Sequence, residues 1–174
     1  MFNLNFKKLL FNGIWGSGGA GMAEPKFNVA TTVVNTDGQN VIVGSSSSDS
    51  DAKYYFNTLI HALNVMVVNA TNLQEGQSCF KLGTGTTTPT EEDYGIETEA
   101  SDLVINQITQ TTTATFGKTY TLNITNTGSS PTMLSEVVQV LRLYKNNNIA
   151  ISRTATAVSF ASGETKTIMV EVSL

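Results

Sequence analysis

From Phe27 onward, apolar and polar positions alternate mostly with a period of two, the signature of half-buried strands. Val29, Thr31 and Val33 alternate with Ala30, Thr32 and Val34, and Asp37-Gly38 marks a turn before Asn40-Val41-Ile42-Val43. Tyr120, Leu122 and Ile124 face one way, opposite Thr119, Thr121, Asn123 and Thr125. Thr127-Gly128-Ser129-Ser130-Pro131 then reads as a turn. Val137 to Tyr144 is apolar on both faces except for Gln139 and Arg142, as a central strand would be. Asn146-Asn147-Asn148 turns the chain into Ile149-Ala150-Ile151. The last strand sets Ile168, Val170, Val172 and Leu174 against Thr167, Met169, Glu171 and Ser173. Tyr55, Leu59 and Leu63, four apart, predict one short helix over 52–64, preceded by the N-cap types Asp49 and Ser50. Val65-Met66-Val67-Val68 extends that helix or forms a strand; its pattern suits both. The expected fold is mainly β, an antiparallel β-sandwich of jelly-roll or immunoglobulin-like type, with one short helix and an N-terminal arm.

Residues 1–25 differ from the rest. Phe2, Leu4, Phe6, Leu9, Leu10, Phe11, Ile14 and Trp15 crowd apolar side chains around Lys7-Lys8 and the hairpin signal Asn12-Gly13. Helical spacing through Phe2, Phe6, Leu9 and Leu10 is the other pattern present. Gly16-Ser17-Gly18-Gly19-Ala20-Gly21 has the composition of a flexible joint, closed by Pro25. The segment reads as an apolar arm, 1–25, attached to a β-sandwich domain, 26–174. A cleaved signal peptide competes, with Gly21-Met22-Ala23 as the small-residue site, but Asn12-Gly13 interrupts its apolar stretch.

Composition narrows the functions. The chain has 174 residues, about one domain, and 40% hydrophobic residues, enough for a core. Only 14% are charged, while 25 Thr, 16 Asn and 15 Ser supply polarity without charge. A net charge of -4 leaves no basic excess for nucleic acid phosphates. One Cys cannot close an internal disulfide, and with one His it cannot build a thiolate–imidazole zinc site. No apolar run approaches the roughly 20 residues that span a bilayer.

Candidate chemistry is sparse. Leu82-Gly83-Thr84-Gly85-Thr86 lacks the Lys of a P-loop, and the following Thr and Pro block a helix start, so it reads as a glycine turn leaving a strand at Cys79–Leu82. Glu91, Glu92, Asp93, Glu97, Glu99 and Asp102 are the acidic cluster. They lack calcium-loop spacing and sit in one short stretch, so a solvated loop is expected. A hydrolase built on them would need a cleft lined by at least two. His61, among Leu59, Ile60 and Leu63, reads as a structural histidine, since no Gly-x-Ser-x-Gly elbow accompanies it. Cys79 reads as a small core residue. Asn69-Ala70-Thr71 and Asn123-Ile124-Thr125 match the glycosylation pattern, which this many Thr and Asn produce by chance. No catalytic, cofactor or metal residue is assigned.

The last 95 or so residues resemble a pattern in small virion proteins of tailed bacteriophages. It is carried by "KLGTGTTTPTEEDYGIETE", by the Glu-containing strand "LSEVVQVLRLY", and by "IAISRTATAVSFASGETKTIMVEVSL", where a Ser-Arg pair leads to a Gly-Glu-Thr turn. After the Glu this chain has Val137-Val138-Gln139-Val140 where a glycine-containing strand is common. The resemblance implies a β-sandwich component of tails, head fibres or capsid decorations, without catalytic residues. The expectation is a non-enzymatic, homo-oligomeric structural protein located in the virion. Its partners are capsid, portal or tail subunits, reached through the arm, with capsid decoration or head fibre preferred over tail or connector. Nucleic acid and membrane are not expected as partners. The alternative is a secreted adhesive or carbohydrate-binding module.

Overall fold

The computed structural model describes residues 4, 7, 31–44, 65–68, 73–112, 117–143 and 147–173. Eight strands follow one another: β1 (Thr31–Val34), β2 (Asn40–Gly44), β3 (Ser78–Gly83), β4 (Leu103–Thr112), β5 (Gly117–Asn126), β6 (Thr132–Leu143), β7 (Asn147–Phe160) and β8 (Thr165–Ser173). β1 and β2 form a hairpin, and the other six make two three-stranded antiparallel sheets ordered β3-β6-β7 and β4-β5-β8. The expected mainly β, antiparallel architecture is therefore present. The predicted helix over 52–64 lies outside the described residues, as does His61. Met66 makes a parallel bridge with Ser78, so the ambiguous 65–68 stretch is strand-like where it meets β3.

The two sheets share one core. Phe80, Leu82, Val137 and Phe160 from one sheet pack with Leu103, Tyr120, Leu122, Ile124 and Val170 from the other. The alternation explains this, since every second residue of β5 and β8 points inward. Tyr120 is buried to 1%, and its ring meets Phe80 edge-on at 5.1 Å. Inside the sandwich, the Gln139 amide Nε2 donates to the Tyr120 hydroxyl at 3.4 Å. β6 is the middle strand of its sheet, which is why its apolar residues occupy both faces. Val138 and Val140 join Cys79, Leu73 and Ala150 in a second cluster on the face turned away from β4-β5-β8. Cys79 is fully buried there, and burial pushes its thiol up to about 11, as suits a core residue.

β4 was not legible as a strand. Its register slips between Ile105 and Gln107, leaving Asn106 as the extra residue of a bulge. Leu103 and Ile105 point inward before the slip and Ile108 after it, so the period of two is lost. By contrast, the Asp37-Gly38 turn appears where the sequence places it. Gly38 adopts φ 77, and the Asn35 side-chain oxygen accepts from the backbone N–H of Asp37 and Gln39.

The outer face of β4-β5-β8 carries polar side chains in cross-strand rows. Gln107, Asn123 and Thr167 form one row, and Thr109, Thr121 and Met169 the next. Asn106 bridges Asn123 and Thr125, donating at 3.1 Å and 2.7 Å, and the Thr125 hydroxyl lies 2.6 Å from that of Thr165.

Candidate functional site

On the far face of the β3-β6-β7 sheet, two charged residues sit within the apolar strands. Glu136 of β6 is 1% exposed and Arg153 of β7 is 6% exposed. Register places Arg153 opposite Val138, two residues along β6 from Glu136, so both side chains share one face. The Arg153 Nε donates to Glu136 Oε2 at 2.8 Å. Its two terminal nitrogens reach further, one to Asp93 Oδ2 at 2.9 Å, the other to Glu97 Oε2 at 3.0 Å and the Thr87 hydroxyl at 3.1 Å. One guanidinium thus holds three carboxylates, using the fork geometry that lysine lacks.

Glu136 anchors the other side of the cluster. Its Oε1 accepts from the backbone N–H of Gly85 at 3.2 Å, of Glu97 at 3.0 Å and of Thr98 at 3.0 Å. These donors belong to both ends of the long connection between β3 and β4. The same ends also pair through the Gly83–Glu99 bridge, and the Thr84 N–H donates to the Thr98 carbonyl at 2.8 Å. The loop is therefore closed at its neck and fastened over the sheet by one buried carboxylate.

This geometry gives Gly83 and Gly85 a different purpose from a turn. A Cβ on Gly85 would lie 2.5 Å from Glu136 Oε1, and one on Gly83 would crowd the same carboxylate and sit 2.6 Å from the Thr98 carbonyl. Gly38, Gly76 and Gly163 are the described glycines with positive φ; Gly83 and Gly85 are not among them. They are needed for close approach, not for backbone handedness.

The electrostatics favour the charged forms of Arg153, Asp93 and Glu97. Burial works against the Arg153 charge, but hydrogen bonds to Asp93 and Glu136 and their charges outweigh it and raise its pKa. Partial burial works to raise Asp93. The Thr90 N–H, the Arg153 guanidinium and the Thr90 hydroxyl prevail and hold it below its ordinary value. Glu97 is lowered chiefly by the Thr87 hydroxyl and N–H, then by Arg153.

An open depression of about 480 Å³ lies beside the cluster, bordered by Glu92, Asp93, Tyr94, Glu97 and Arg153. Two of its three acids are therefore already committed to Arg153. Glycoside cleavage needs a general acid whose pKa is raised, and both of these are lowered. The arrangement is chemically a staple. The expectation of a solvated acidic loop is corrected for Asp93, which is partly buried against Arg153; Glu97 bonds Arg153 from an exposed position, and Glu91, Glu92, Glu99 and Asp102 are exposed as well. Glu99 lies 3.5 Å from Lys81. Among the described residues no group of His, Cys, Asp and Glu has the arrangement of a metal site. No helix among them is long and apolar enough to cross a membrane.

Of the arm anchors Phe2, Leu4, Phe6, Leu9, Leu10, Phe11, Ile14 and Trp15, only Leu4 lies within the described residues. It is helical and half exposed, and its N–H donates to the Glu91 carbonyl at 2.6 Å, while Lys7 pairs with the Glu91 carboxylate. Neither Glu136 nor Arg153 stood out as a site residue from the sequence. The available signal was Arg153 as the one charge of β7, and Glu136, which shares β6 with Arg142, since charges in apolar strands must be paired when buried. Which of the six acids would meet Arg153 was not readable. The cluster joins three separate segments of the chain: Thr87, Asp93 and Glu97 from the β3–β4 connection, Glu136 from β6 and Arg153 from β7. No protein-family model matches the chain, no curated protein matches it, and no solved structure matches it.

Proposed function

We propose that this chain is a non-enzymatic structural protein of a tailed-bacteriophage particle, docking on a neighbouring virion subunit through its N-terminal arm. The observation that carries the proposal is the convergence just described. The three separate segments that resemble virion proteins meet at one buried Arg–carboxylate cluster, so they behave as one structural unit. The capsid exterior or a head fibre is preferred as its place, with a tail or connector position next.

A surface rich in Thr and Asn supports assembly, because uncharged polar groups can be covered by another subunit without desolvating ions. A secreted glycan-binding module would call for several exposed aromatics forming a platform. Among the described residues, Tyr94 is the one aromatic counted among the large exposed hydrophobic side chains, so the virion reading is kept.

The test is deletion of residues 1–21, with occupancy of purified particles measured by quantitative mass spectrometry. Occupancy should fall at least tenfold. Unchanged occupancy would remove the arm as the attachment, and absence of the intact chain from particles would overturn the virion assignment itself.

A further inference from the structure

We infer that the outer face of the β4-β5-β8 sheet is a homotypic contact, through which two copies of this chain pack sheet to sheet. The inference deepens the assembly proposal by naming a partner for a particular surface, and it rests on that proposal for its biological setting. Two observations point to a second copy as the occupant, and the size of the face sets how strong the contact can be.

The first is charge. The chain is acidic overall, at -4, so two copies repel through most surfaces. The rows Gln107–Asn123–Thr167 and Thr109–Thr121–Met169 contain no charge, and the adjoining row adds only Glu171. This is the face that two acidic molecules can bring together at little electrostatic cost.

The second is hydrogen-bond chemistry. Hydroxyls and carboxamides each donate and accept, so an array of Thr, Asn and Gln complements its own image. A basic or acidic partner would find no opposite charges here to pair with. Its large exposed apolar side chains are Val104 on β4, 43% exposed, and Met169 on β8, an edge strand of this sheet, 73% exposed. An unbranched thioether can settle among the Thr methyl groups of a facing copy.

Size sets the strength. Three strands about 4.8 Å apart, each contributing about 23 Å of length, give a contact on the order of 700 Å² for the two copies together. Stable complexes bury at least about 1,200 Å². The expected contact is therefore weak by itself, concentration-dependent, and strengthened when a particle lattice presents many copies.

The test is sedimentation velocity of the full chain from micromolar to millimolar concentration. The intact protein should pass from monomer to dimer within this range. Met169→Lys and Thr109→Lys, which place charges on the face, should each move the transition at least tenfold higher in concentration. Met133→Lys, at a 49% exposed position on β6 of the other sheet, serves as the matched control and should leave it in place. Thermal melting of each variant checks that the fold survives. A protein monomeric throughout, an unshifted transition in Met169→Lys, or an equal shift in Met133→Lys would each overturn the inference. Since the purified chain alone is used, these outcomes are separate from the particle-occupancy result.

Discussion

The two three-stranded sheets solve opposite problems with the same topology. The β3-β6-β7 sheet is covered on both faces, by the opposing sheet on one and by the β3–β4 loop and its neighbours on the other. It accordingly holds an ion cluster that is expensive to disturb. The β4-β5-β8 sheet buries one face only and leaves a polar, nearly uncharged one outside. The two buried charges among the described residues, Glu136 and Arg153, thus lie beneath the β3–β4 loop, whereas the outer rows of β4-β5-β8 carry only Glu171. Burial decides the value of each charge. An exposed pair such as Lys166 with Glu164 contributes little, whereas removing a partner from a buried pair leaves an uncompensated charge.

The largest effect should come from breaking the buried cluster. Arg153→Ala leaves Glu136 buried without its cation and should cost about 3–5 kcal/mol, measured by urea denaturation. A loss below about 1 kcal/mol would place the cluster in the class of surface pairs and erase the contrast between the sheets.

Crowding the carboxylate comes next. Gly83→Ala and Gly85→Ala each force a methyl group against Glu136 and should cost about 1–3 kcal/mol. Gly163→Ala is the comparison, because a Cβ there meets nothing within 4 Å and only its φ of +73 opposes the change. A cost of about 1 kcal/mol is expected for it, from backbone strain alone. Equal losses at Gly83 and Gly163 would mean that close approach is not what requires glycine beside Glu136.

Acid should act on the cluster through a definite sign. Asp93 and Glu97 have lowered folded-state pKa values, so their contribution is fully present above the ordinary carboxylate range, near pH 4. It is lost as pH falls through the lowered values. Melting temperature measured from pH 6 to pH 2 should therefore fall below about pH 4, and the fall should be shallower in Arg153→Ala. Parallel profiles would detach the acid sensitivity from Arg153.

The smallest effect belongs to the open face. Thr167→Gln, exposed on β8, should change stability by no more than about 0.5 kcal/mol by urea denaturation. A loss comparable with Arg153→Ala would show that this face is structurally committed.

Much of the fold could be read from alternation. The inward residues of β5, the double-sided apolar pattern of β6 and the Asp37-Gly38 turn followed from local rules that operate within a few residues. β4 escaped because one bulged residue, Asn106, reverses the alternation midway. The cluster escaped for another reason. Glu97, Glu136 and Arg153 are far apart in the chain, and nothing local distinguishes Glu97 from Glu99, which points elsewhere. Gly83 and Gly85 suggested a turn because a glycine's need for space, unlike its need for positive φ, depends on what packs against it.

By itself, then, the sequence determined most of the strands and the nearly uncharged character of their outward positions. Period and polarity are properties of neighbouring residues, so they survive without a fold. Tertiary structure decided which acids Arg153 gathers, why Gly83 and Gly85 must lack a side chain, and which Thr-rich rows lie side by side on one exposed face. Those outcomes depend on strand register and on how the β3–β4 loop closes, both set by contacts between distant segments of the chain.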